Sequence, residues 1–177
     1  MSEEYFDVVD EEDGVIGRRP GMECVRQGIL HRAIAILLFN DRGEVYVQRR
    51  ADSMVWYPGR WTLSVTGHVA SGETYEQAAR RELMEELGVE CGLRPVGKVK
   101  TPTWAYGDLI EREFLLVFEG RATRPRITLS EETKEGRFVE FDGLAKMVEE
   151  RSDEVTPDTL LAFDLYQGAR RTKSGVG

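Results

Sequence analysis

Apolar residues come in two rhythms along this chain. His31 to Phe39 (HRAIAILLF) is an almost unbroken apolar run of strand length, the pattern of a strand buried on both faces. A turn at Asn40 to Gly43 follows, and Glu44 to Arg50 then alternates with a period of two, as a second strand does. Trp61 to Val69 (WTLSVTGHV), rich in β-branched and aromatic residues, also reads as a strand. The rhythm then changes. Ala79, Leu83 and Leu87 recur every four residues, with Ala78 and Met84 at their margins, which is one buried stripe of a helix. Thr74 with Gln77 three residues later has the form of a capping box, and Gly88 sits where a left-handed cap would end the helix.

The flanking segments are expected to extend this pattern. Asp7 to Arg18 reads as a hairpin turning at Asp13-Gly14. Leu93 to Trp104 and Leu109 to Glu119 read as paired strands around Ala105 to Asp108, and Arg137 to Phe141 as a last strand. Asp142 is the expected N-cap of a helix to Glu150, and Thr156-Pro157 opens another that runs to about Gln167. Strands on both sides of one helix, with more helices at the end, predict an α/β protein with a mixed sheet packed between helices. The expected organisation is one domain over residues 1–170, including an N-terminal hairpin over 5–19, and a flexible tail over 171–177 within the basic segment that starts at Arg170.

Composition narrows the function classes. The 177 residues suffice for one proper core, and 41% hydrophobic with 32% charged residues is an ordinary globular mixture. No run approaches the roughly 18 apolar residues of a membrane span. The acidic N-terminus lacks the basic-then-apolar order of a secretory signal. Cys24 and Cys91 form neither a disulfide framework nor a metal-ligand spacing. A cytoplasmic location with reduced thiols is therefore expected. The net charge of −8 argues against a nucleic-acid polymer as partner. A small polyanionic substrate would need local cations or a metal.

The chemistry is concentrated between Gly67 and Val89 (GHVASGETYEQAARRELMEELGV). Glu82, Glu85 and Glu86 are spaced i, i+3, i+4, which puts them on one helix face within roughly 100° of arc. Like charges that close repel by a few tenths of a kcal/mol per exposed pair, so the cluster calls for a cation. An all-carboxylate set suits Mg²⁺ or Mn²⁺. Gly67 lets the backbone approach a ligand, and its carbonyl is a further candidate ligand.

Gly67, Glu73, Arg81, Glu82, Leu83, Glu85, Glu86, Gly88 and Val89 match every fixed position of the Nudix box, and the segment resembles that family. The resemblance implies a Nudix-type α/β/α sandwich and divalent metal held by Glu82, Glu85 and Glu86. It also implies that Arg81 pairs with Glu73 to hold the loop against the helix. The implied reaction is attack of water on phosphorus in a nucleoside diphosphate linked to another group, a small-molecule diphosphate substrate. Glu86, with Glu85 as third ligand or base, and Glu113 are the candidate catalytic groups. Related folds often form homodimers.

Further residues resemble the branch that contains type I isopentenyl diphosphate isomerases and their hydrolase relatives. These are the Asp7-Val8-Val9-Asp10 opening, Leu30 to Ala33, Arg49-Arg50, Pro58 to Thr62 and Gly67-His68. His31 and His68 match metal-ligand positions of the isomerases. Glu111 and Glu113, two apart on a strand, match a carboxylate pair used there at the metal and for proton transfer. Of the two arginines, the relatives indicate Arg50 as the phosphate clamp. Trp56, Trp104 and Tyr106 are candidates to stack a base or cover a prenyl chain. Ser130-Glu131-Glu132 lie where some Nudix enzymes place a base but read as a solvated turn. The departures favour hydrolysis. Thr66 stands where the isomerases carry a catalytic cysteine, and Met54 and Val55 where they carry lysines. Cys24 replaces a histidine ligand and has no cysteine partner nearby, while the box is intact. An isomerase is the second reading, and a ligand-binding regulator with a relic domain the third.

Overall fold

The computed structural model describes residues 4–174. The chain opens with the predicted hairpin, β1 (Tyr5–Val9) against β2 (Val15–Pro20), with its turn held by Asp10, whose carboxylate accepts from the amides of Glu12 and Gly14. A short helix α1 (Gly21–Gln27) follows, then β3 (His31–Phe39), β4 (Val45–Arg50), β5 (Trp61–Thr62) and β6 (Val65–His68). Next come helix α2 (Tyr75–Leu87), β7 (Leu93–Lys100), the hairpin β8 (Trp104–Tyr106) and β9 (Leu109–Glu111), and β10 (Glu113–Arg121). β11 (Thr133–Val139), α3 (Phe141–Glu150) and α4 (Pro157–Ser174) complete the described chain.

The central sheet runs β11-β4-β3-β10-β7, with β5 paired to β4 and β6 to β3. β3 and β10 are parallel through nine registered pairs, and the other pairings are antiparallel, so the sheet is mixed. The apolar run of β3 is buried on both faces, as its pattern requires. Ala33, Ala35, Leu37 and Phe39 pack with Leu144, Phe163 and Tyr166 of α3 and α4. Ile34, Ile36 and Leu38 pack with Ala78, Ala79, Leu83 and Leu87 of α2. This is the expected sandwich. Helix α2 begins as predicted, with the reciprocal Thr74–Gln77 capping box, and ends at Gly88 in the left-handed conformation at φ 65°. Such a cap contributes about 1 kcal/mol.

Several boundaries differ from expectation. Trp61 to Val69 is two strands, because β3 and β4 share one registered pair beside their turn and then diverge. β5 follows β4 and β6 follows β3. Ser64 fills the fork: its hydroxyl accepts from the Leu38 amide at 2.8 Å and donates to the Tyr46 carbonyl at 2.7 Å. Helix α1 has no counterpart in the sequence reading; it is seven residues long with no side-chain N-cap. Phe141 is not the end of a strand but opens α3, where it packs on Phe39, Phe163 and Tyr166. The last strand is shifted to start at Thr133, and the N-cap is Glu140 rather than Asp142. The segment from Arg170, expected as tail, is helical to Ser174; residues 175–177 of the tail lie outside the described residues. No helix among the described residues is long and apolar enough to cross a membrane.

Candidate active site

A cleft of about 390 Å³ opens where β3 and β4 have diverged. Ala33 and Ile34 of β3, Arg50 of β4 and Thr66, Gly67 and His68 of β6 line it. Helix α2 contributes Arg81, Glu82, Glu85 and Glu86, and Glu111 and Glu113 close the far side. Two clusters of donor groups therefore border one cavity, although His31 of the second is fully buried and is not itself a lining residue.

The box residues form the first. A Cβ built on Gly67 would lie 2.5 Å from the carboxyl carbon of Glu82, so only glycine lets that carboxylate rest against the β6 backbone. Arg81 holds the outer side. It grips Glu73 bidentately at 2.9 Å on both oxygens, and donates to Glu82 at 2.7 Å, Glu85 at 3.2 Å and the His68 carbonyl at 3.2 Å. Glu73 also accepts from the Ala70 amide at 3.1 Å, which fixes the loop before the helix. The Arg81–Glu73 pairing implied by the resemblance is thus present. Glu86 lies deeper, and burial together with the Glu82 charge pushes its carboxyl up to about 8. Burial also raises Glu82, against the pull of Arg81. Two carboxyls whose ionised forms burial disfavours lie where a cation would stabilise those forms. The donor set therefore fits a hard divalent ion.

His31, His68, Glu111 and Glu113 form the second cluster, with one ligand atom from each inside a 4.8 Å span. His31 Nε2 lies 3.3 Å from Glu111 and 3.7 Å from Glu113, and His68 Nε2 lies 3.4 Å from both. His31 Nδ1 donates to the Ile29 carbonyl at 2.8 Å, so in the neutral ring Nε2 carries its lone pair toward the carboxylates. His31 Nε2 and Glu111 Oε2 are buried without a hydrogen-bond partner. Orphaned buried polar atoms are costly, and here they sit side by side on a converging N₂O₂ set, which fits a borderline cation such as Mn²⁺ or Zn²⁺. Burial and the Glu111 charge push Glu113 up. The two imidazoles hold Glu111 down despite its burial, and both carboxylates hold His68 well above the usual imidazole range against its desolvation. Phe6 stacks on both imidazoles, at centroid distances of 5.1 and 4.6 Å. The N-terminal hairpin that carries Phe6 is tied to the box loop by Asp7, which accepts from the Ser71 hydroxyl at 2.6 Å and the Gly72 amide at 3.1 Å. Cys24 packs with Phe6, Val25 and Leu109 instead of joining the donors.

The periphery sorts the remaining candidates. Arg49 is engaged with the Gly59 carbonyl and Glu135, whereas Arg50 lines the cleft, anchored by its Nε to the Trp56 carbonyl at 2.8 Å. Trp56 and Trp104 both line the cleft. Tyr106 is not a lining residue; its ring packs at a tilt against Tyr57, with centroids 4.6 Å apart, and so braces the rim. Tyr57, read from sequence only as loop, lines the cleft at a positive φ of 43°. Glu132 also lines it, so that part of the supposed solvated turn faces the site. Sequence reasoning also missed Asp158 at the start of α4, and Gln48 of β4, which donates to Glu86.

Residues 29–159 match the NUDIX domain model. The chain belongs to the Nudix family. It is 38% identical over 162 residues to a Pseudomonas aeruginosa protein named uncharacterized Nudix hydrolase, covering 91% of this chain and 92% of the relative. It is 32% identical over 154 residues to isopentenyl-diphosphate Delta-isomerase 2 of Photorhabdus laumondii, covering 87% of each. The crystal structure of DR0079 from Deinococcus radiodurans superposes with a TM-score of 0.70 at 27% identity, covering 95% of this chain and 98% of that one. The family thus includes relatives named for both chemistries that the sequence left in competition.

Proposed function

We propose that this Nudix protein is a metal-dependent pyrophosphohydrolase that cleaves a phosphoanhydride bond in a nucleoside diphosphate derivative or related diphosphate. The observation that supports this best is the shared wall formed by Gly67, Glu82, Glu85 and Glu86, with Arg81 held by Glu73 at its edge. Glu82 and Glu86, with Glu85 as third ligand or base and the Gly67 carbonyl, would hold Mg²⁺ or Mn²⁺. Such an ion, when bound, neutralises charge on the phosphate oxygens and acidifies the attacking water. The chain's own groups supply the rest. Arg50 clamps a phosphate, Trp56 and Trp104 cover the group beyond it, and Glu85 or Glu113 takes the water's proton. His31, His68, Glu111 and Glu113 would hold a second cation. The two free cysteines accord with a cytoplasmic enzyme.

The test is product release with Mg²⁺ and Mn²⁺ over nucleoside diphosphate derivatives, dinucleotides and prenyl diphosphates. Hydrolysis is expected, and it should vanish in Glu86→Gln with an unchanged circular dichroism spectrum. A wild type inert across the panel would overturn the reading. The converged histidine and glutamate cluster favours a second reading, an isomerase acting on isopentenyl diphosphate. Against it, Thr66 lines the cleft where a thiol would be needed, and a hydroxyl is a far weaker acid.

A further inference from the structure

The deepest carboxylate of the box helix has a partner that lies outside the box. Gln48 is 4% exposed, on the face of β4 that also carries Tyr46 toward α2. Its Nε2 donates to Glu86 Oε2, and its Oε1 accepts from the Thr133 hydroxyl at 2.7 Å. Thr133 comes from β11, the neighbouring strand. The three groups form a chain with one sense: the hydroxyl donates to the amide oxygen, which turns the amide nitrogen onto the carboxylate. Once a cation has ionised Glu86, a reversed amide would set its oxygen against the carboxylate.

We propose that Gln48, oriented by Thr133, is a positioning residue that fixes the rotation of the Glu86 carboxylate and leaves its Oε1 for a divalent cation; the proposal rests on the metal-dependent reading above. Gln48 does not line the cleft, and it acts through Glu86. Groups that hydrogen-bond a ligating carboxylate typically alter metal affinity by roughly 10- to 100-fold when removed. Gln48→Met keeps the volume and removes the donor. Thr133→Val keeps the shape of a less buried position and removes the orienting hydroxyl, so it serves should the methionine variant fail to fold.

The experiment is calorimetric titration of the full chain with Mn²⁺ alone, in wild type, Gln48→Met, Thr133→Val, Glu86→Gln and the doubles with Glu86→Gln. Expected is a weakening of about tenfold for Gln48→Met and a smaller one for Thr133→Val. Neither should weaken binding further once Glu86 is Gln. Wild-type affinity in both single variants would overturn the proposal. So would an equal loss with and without Glu86, which marks a structural role only. If wild-type Mn²⁺ binding is itself indifferent to Glu86→Gln, the metal-dependent reading falls and takes this proposal with it.

Discussion

A single methyl group at position 67 separates an open carboxylate cradle from a blocked one. Gly67→Ala would place a Cβ 2.5 Å from the Glu82 carboxyl carbon, and Glu82 is hemmed in by Arg81 at 2.7 Å. The carboxylate must then swing away from the β6 backbone. Gly67→Ala is expected to keep its fold by circular dichroism and to bind Mn²⁺ roughly tenfold or more weakly by titration calorimetry. Glu86 makes a different kind of prediction. Its folded carboxyl holds its proton up to about pH 8, whereas an unfolded glutamate releases it near pH 4.3. Between those values the folded chain binds more protons, so without metal its stability falls as pH rises. Glu86→Gln removes that contribution, and its urea-unfolding free energy should decline less steeply than wild type from about pH 4.5 to 8. Equal slopes would show that Glu86 ionises freely in the folded chain. The glutamates themselves were legible because helical spacing shows directly which positions share a face. The buried partner Gln48 was not, because no local spacing links position 48 to 86.

At the scale of elements, hydrophobic rhythm reported which faces are buried but not which strand each segment joins. Glu111 and Glu113 do meet as their i, i+2 spacing predicts, but not on one strand: β9 ends at Glu111 and β10 begins at Glu113. Trp61 to Val69, by contrast, satisfies a strand pattern throughout, yet it changes partner from β4 to β3 at Ser64. That switch depends on one hydroxyl satisfying two backbone groups of diverging strands, and nothing in the segment's own pattern encodes it. Ser64→Ala leaves the Leu38 amide and the Tyr46 carbonyl without this partner. The expected cost is about 1–3 kcal/mol in urea unfolding. An effect below 0.5 kcal/mol would show that the fork closes by other means. Helix α1 escaped notice for a related reason: capped by Pro20 and Gly28 without a side-chain bond, it is held by burial of Cys24 and Val25 beneath Phe6.

The whole molecule decides what the elements cannot. The box lies within 23 residues and was readable as a unit, whereas the second cluster draws on positions 31, 68, 111 and 113. Only the parallel pairing of β10 with β3 sets Glu113 opposite His31, and the pairing of β6 with β3 brings in His68 opposite Ala33. One cleft then offers an all-oxygen set on α2 and a mixed nitrogen–oxygen set across from it. The two sets should be separable by metal preference, since Mg²⁺ holds to oxygen ligands, imidazole suits Zn²⁺, and Mn²⁺ takes carboxylates while accepting imidazole more readily than Mg²⁺ does. After chelation, Mn²⁺ is expected to raise the melting temperature more than Mg²⁺ at equal concentration, because it suits both sets. The Mn²⁺ excess should disappear in His31→Ala and persist in Glu86→Gln. If hydrolysis belongs to the α2 wall, Glu86→Gln abolishes phosphoanhydride cleavage. Wild type should meanwhile yield no dimethylallyl product from isopentenyl diphosphate. Isomerisation that survives Glu86→Gln and is lost in His31→Ala would transfer the chemistry to the opposite wall and leave the box with a structural role.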